Sequence, residues 1–234
     1  MGARALGRRG LLAILFVAAA AAAVQSARLG ASGFHVQQAH AYVERWAAAR
    51  RAPEARAVAA AEAHLRASLH HAPASPEALG LMGALSLAKM RAASQPQAAV
   101  AAAREARDHY RAALRARPTS PFLWANLALA KLYLDEFDAE MSAALRHADA
   151  LGPWEPAAQR TTVFVGLAGW RRLDAATRDA LSQAIGRAAL RDASGMLALV
   201  KSYQRLDLVC AHAAYRRLAG AGCGSAAGDS GAAS

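Results

Sequence analysis

His109–Ala130 reads HYRAALRARPTSPFLWANLALA, and His64–Leu85 reads HLRASLHHAPASPEALGLMGAL. The two align without a gap. His64, Arg66, Ala67, Leu69, Pro73, Ser75 and Pro76 fall on His109, Arg111, Ala112, Leu114, Pro118, Ser120 and Pro121, at an offset of 45 residues. A third pair of prolines, Pro153 and Pro156, follows 35 residues after Pro118. Helix-forming residues flank each Pro-x-x-Pro corner, and self-similarity at this period marks stacked helix hairpins. The second proline of a corner suits the first helical position, where its missing N–H is no loss.

Outward from these corners the reading is helical throughout. Helices are expected over 36–48, 54–71, 77–90, 97–115, 121–134, 137–151, 156–170, 175–190, 196–203 and 208–218. Trp124, Leu127, Ala128 and Leu132 form the clearest apolar face. Gly152 and Pro153 stop one helix, and Asp135 and Glu136 turn another. Alanine dominates, β-branched residues are few and no alternating run suggests a strand, so the fold class is all-α. Residues 36–218 are expected to form one helical-repeat domain, and the Gly-, Ala- and Ser-rich residues 219–234 a disordered tail.

The first residues carry an address. Arg4, Arg8 and Arg9 precede an uncharged apolar run from Leu11 to Val24. A basic flank before an apolar core marks a signal peptide or signal anchor over residues 1–28, with cleavage after Ser26 the alternative to an uncleaved anchor. The arginines predict a cytoplasmic amino terminus and a body in a bacterial periplasm. Leu29 to Phe34, with Gly30, Ser32 and Gly33, reads as a flexible linker, placed at residues 29–35. Cys210 and Cys223 are the only cysteines. In an oxidising compartment they could pair; otherwise Cys210 is a core thiol.

The formal net charge of +11 is almost all arginine. The arginines are scattered, and no nucleic-acid-binding motif accompanies them, so nucleic acid is not expected as a partner. Metal-ligand spacings and nucleophile elbows are missing from the sequence, so no catalytic, cofactor or metal residues are assigned and no enzyme is expected. Asp135, Glu136, Asp138 and Glu140 crowd one turn and read as a polar turn with an acidic helix start rather than a cation site. His64 and His109 are repeat-equivalent and read as architectural. Trp154, between Pro153 and Pro156, is either a stacking platform or, by preference, a plug between hairpins. Arg111, Arg115, Arg117, Arg146, Arg171 and Arg172 could line a basic groove; the alternative is solvated faces. Arg111, Arg115, Arg117 and Trp154 are therefore the candidate partner-binding residues.

Phe122 to Pro153 resembles a tetratricopeptide repeat. Trp124, Leu127 and Ala128 match the first helix, Phe137 the aromatic past the turn and Pro153 the terminal proline. Lys131 replaces a usual aromatic and Glu140 a usual small residue. A narrower likeness rests on SPFLWANLALAK at Ser120–Lys131, FDAE at Phe137–Glu140, LGPWEP at Leu151–Pro156, VFVGLAGW and a late LVC. These strings resemble the VpsP-type polysaccharide-biosynthesis proteins. The resemblance implies a membrane-anchored helical-repeat protein of exopolysaccharide synthesis or export, with no catalytic residues to transfer. The expectation is a non-enzymatic, single-pass inner-membrane scaffold. Its partners would be proteins of that machinery or an anionic polymer. A general envelope-assembly scaffold and a polysaccharide-modifying enzyme are the alternatives.

Overall fold

A computed structural model describes the backbone of residues 2–49 and 54–210, and the side chains of 12–45 and 54–210. Among the described residues the chain is all helix, with no strand. The helices are α1 (Gly2–Ala49), α2 (Ala55–His71), α3 (Pro76–Ala92), α4 (Pro96–Ala116) and α5 (Pro121–Tyr133). They continue with α6 (Ala139–Leu151), α7 (Pro156–Ala168), α8 (Ala175–Arg191), α9 (Ala193–Ser202) and α10 (Leu206–Cys210). A single 3-10 turn, Trp170–Arg172, follows α7. The expected tail and Cys223 lie outside the described residues; Cys210 itself is not a free thiol.

The sequence repeat is a backbone repeat. α2, α4, α6 and α8 all end on a cap of nearly the same backbone: Ala72, Arg117, Gly152 and Asp192 have φ between −140° and −135° and ψ between 54° and 84°. Each cap N–H reaches back four residues, to the carbonyls of Ser68, Ala113, Ala148 and Ala188. At the proline corners Ser75, Ser120 and Glu155 then donate N–H to Ala72, Arg117 and Gly152. The Ser75 and Ser120 hydroxyls accept from Ala78 and Leu123, and Pro76, Pro121 and Pro156 head the next helices. Gly152 is not there for a left-handed turn, as its helix-stop role suggested. Its φ is −136°, and a Cβ would meet Pro121 Cβ at 2.5 Å. Glycine is needed because the preceding corner's proline ring lies against it.

The ends of α5 and α9 use a different device. Asp135 and Gln204 sit at φ 59° and 55°. Glu136 and Arg205 donate back to Lys131 and Val200, while Asp135 and Gln204 donate to Leu132 and Lys201. This is the Schellman pattern, here with non-glycine residues in the left-handed position. α6 accordingly starts at Ala139 rather than 137, because Asp138 is its cap and accepts from Met141 N–H.

The chain divides into two compact units within α3, between Leu85 and Ser86. The reason lies in α1. Residues 29–35 are not a linker; the helix runs through them from the apolar segment to Ala49. Each glycine costs a helix only about 1 kcal/mol relative to alanine, and tertiary packing offsets it. Val36 and Ala39 pack against Leu65, Ala78, Met82 and Leu85, and Ser32 and Ser68 share a buried 2.8 Å hydrogen bond. α1 thus joins α2 and the start of α3 in the first unit. Within α1, Leu12–Arg45 is long and apolar enough to cross a membrane, with an 18-residue window of mean hydropathy 1.8, none of it buried.

In the second unit the helices from α5 onward pack on their next and next-but-one neighbours: α5 on α6 and α7, α6 on α7 and α8, and α8 on α9 and α10. Alanines 125, 148 and 158 allow α5, α6 and α7 to approach closely, under Trp124. Val163, Leu167, Ile185, Met196 and Val200 form the core at the other end.

Candidate functional site

The corner proline carbonyls are held from within the following helix. Trp124 Nε1 donates to Pro118 O at 2.7 Å, and Gln159 Nε2 donates to Pro153 O at 3.1 Å. Both donors lie six residues past their proline. Trp124 is half-buried rather than fully core, and its ring lies 4.7 Å from that of His147. Trp154 is not a plug. It is 57% exposed at the Gly152–Glu155 corner, with the Arg191 guanidinium 5.9 Å from its ring. The Pro121 ring already fills the place against Gly152, which leaves the indole on the outside.

The acidic turn encloses a cation supplied by the chain itself. Lys131 is fully buried on α5, and the Schellman turn after it folds the next segment back. Its ammonium donates to Glu136 at 3.1 Å, Asp138 at 2.8 Å and Glu140 at 2.8 Å, which satisfies all three protons. Arg107 holds Glu136 at 2.5 Å, and Arg111 grips both Glu140 oxygens. Burial works against the Lys131 charge, but its bonds to Asp138, Glu140 and Glu136 prevail and raise its pKa above the ordinary lysine value. The Arg111 guanidinium holds the Glu140 carboxyl below the usual carboxylate range. Asp138 is also lowered: desolvation opposes ionisation, and the Lys131 bond and Met141 N–H overcome it.

This network divides the arginine stripe. Arg111 belongs to Glu140, so it is not part of an open basic surface. Arg146 bonds Thr177 at 2.7 Å and faces Asp174 at 3.7 Å. Arg172 pairs with Asp135 and covers the Phe137 ring at 4.0 Å. Arg115, Arg117 and Arg171 are exposed. Arg111, Arg146 and Arg172 of the expected groove are therefore faced by the acids Glu140, Asp174 and Asp135.

A different surface has the shape of a binding groove, and the sequence did not single it out. A cleft of about 530 Å³ is lined by Leu129 and Tyr133 of α5, Thr161 and Phe164 of α7, and Met196 and Leu199 of α9. Arg160 and Asp192, 3.8 Å apart, stand at its wall. The lining comes from the first helices of successive hairpins, three or four residues apart on each. Such spacing was visible in the sequence, but it looks the same whether a face is buried or open. Among the described residues, no three His, Cys, Asp or Glu side chains are grouped to hold an ion. No family model, curated protein or solved structure matches the chain.

Proposed function

We propose that this chain is a membrane-anchored, tetratricopeptide-like scaffold that binds a protein partner in bacterial exopolysaccharide synthesis or export. Its helical body would lie in the periplasm. The observation that carries the reading is the apolar cleft, built from the first helices of hairpins whose corners repeat in backbone geometry. An array of hairpins that buries a continuous core and leaves one face open grips partner segments along that face. Phe164 and Leu199 offer apolar contact there, and Arg160 and Asp192 offer charge at the edge. The N-terminal apolar helix supports a membrane address, and the arginines before it support a periplasmic body. The pathway rests on the resemblance of the LGPWEP and SPFLWANLALAK strings alone.

Deletion of the gene should lower exopolysaccharide output. Charged substitutions in the cleft, Phe164→Asp and Leu199→Asp, should abolish co-purification of the partner from solubilised membranes while helicity is kept. Loss of output through a single carboxylate or histidine substitution, at normal stability, would replace this reading with the enzymatic one. Unaltered output on deletion, with partner capture intact, would favour a general envelope scaffold.

A further inference from the structure

The first unit holds an imidazole cluster that the reading above does not use. His35 on α1 faces His64 on α2, with their Nδ1 atoms 3.2 Å apart. His71, two helical turns beyond His64 on α2, lies parallel to the His35 ring at a centroid distance of 6.0 Å. All three rings are half-buried, so they are reachable by solvent yet held by their helices. The placement is anchored by packing. Ser32 bonds Ser68 and Val36 packs against Leu65, one helical turn or less from the histidines on each side.

We propose that His35 and His64 form a two-ligand site for a divalent late transition metal ion, with water completing its coordination. Nitrogen ligands sit about 2.0–2.1 Å from zinc, so two of them on a tetrahedral ion stand roughly 3.3 Å apart, and at a square-planar cis angle about 2.9 Å apart. The observed 3.2 Å falls between these. One Nδ1 already directs its lone pair toward the other ring across a hydrogen bond. With each ring in the neutral tautomer that carries its proton on Nε2, a modest turn about the soft ring torsions brings both Nδ1 lone pairs onto one ion. Imidazole pairs of this kind suit Cu²⁺, Ni²⁺ and Zn²⁺ rather than Mg²⁺ or Ca²⁺, and Cu²⁺ binds tightest in that series. His71 is a neighbour of the pair and not a ligand, since its ring stacks on His35 rather than pointing an edge at the shared position. An ion here would clip α1 to α2.

The test uses the full chain in detergent micelles, with Cu²⁺ and Zn²⁺ as probes and Mg²⁺ as control. Titration calorimetry should show one Zn²⁺ or Cu²⁺ per chain and none with Mg²⁺. Electron paramagnetic resonance of the Cu²⁺ form should show two imidazole nitrogens. Zn²⁺ should raise the melting temperature of the wild type. His35→Gln and His64→Gln should each weaken binding at least about ten-fold, the scale of loss seen when even an outer partner of a metal ligand is removed. His71→Gln should change it little. Equal Zn²⁺ affinity in the wild type and both Gln variants would overturn the assignment. So would a Cu²⁺ spectrum without two imidazoles, which needs no variant to fold.

Discussion

Lys131→Met is the perturbation that tests the ion cluster most directly. Methionine keeps most of the stem that packs in α5 and removes only the ammonium. Breaking a buried pair by deleting one partner costs about 3–5 kcal/mol, because the remaining charges lose their counter-ion. Here the remaining acids are 28% exposed at Glu136, 54% at Asp138 and 34% at Glu140, so water can reach them in part. Arg107 and Arg111 also continue to hold Glu136 and Glu140. The expected loss is therefore about 2–3 kcal/mol, at or below the bottom of that range. Urea unfolding of the full chain followed by far-ultraviolet circular dichroism would measure it. Glu140→Gln in the Lys131→Met background should cost less than in the wild type, since the repulsion it relieves arises only when the lysine is gone. A Lys131→Met variant within about 0.5 kcal/mol of wild type would refute the reasoning: it would mean that an apolar side chain fills this place as well as the buried charge does.

Three further outcomes follow from the same geometry. Trp124→Ala should cost roughly 2–3 kcal/mol, below the 3–5 of a fully buried aromatic, whereas Trp154→Ala should stay within about 0.5 kcal/mol; melting curves of the two variants check the contrast. Gly152→Ala should destabilise by about 1–3 kcal/mol because the new methyl meets a ring that cannot rotate away, measured by the urea midpoint. In pH titrations of stability, the acid limb should come from depressed carboxylates. Asp174 falls to about 2 through the Ser142 and Thr177 hydrogen bonds, and Glu140 and Asp138 are lowered too. A depressed acid contributes stability that is present above its unfolded pKa and lost as pH falls through its folded one, so the urea midpoint should hold from neutrality to about pH 5 and fall between about 4 and 2. Lys131 is raised, so its contribution should persist up to the ordinary lysine value and fade above it.

The helical class and the corners were legible because alanine propensity and proline at the first helical position act locally. From α2 to α9 the helix ends were legible to within a few residues for the same reason. Gly30 and Gly33 misled because two glycines and a serine look like a linker, while the packing that keeps α1 helical comes from α2, 29 or more residues away. Lys131 looked like a departure from a repeat pattern. Its buried state depends on Asp135 taking a left-handed turn, which brings acids five, seven and nine residues on back over one amine. His64 was read from its repeat partner His109, yet its actual neighbour is His35, outside the repeat.

An unbroken α1 also makes the first unit a rigid fitting instead of a tethered float. The segment Leu12–Arg45 is 34 residues, about 50 Å of continuous rod at 1.5 Å per residue. The α2–α3 corner, Ala72 to Pro76, borders the same cleft as Gln25, Arg28 and Leu29, the turns that follow the apolar run. If the apolar run crosses a bilayer, that corner would lie near headgroup height. The apolar part of that rod, Leu11–Val24, is short against about 30 Å of hydrocarbon, so in a thicker membrane mismatch would appear as strain of its flanks or thinning of the lipid around it. Because α2 is bonded to the same rod at Ser32, any tilt of a membrane-spanning α1 would become an angular displacement of α2 and the corner, and bilayer thickness would be a mechanical input to this unit.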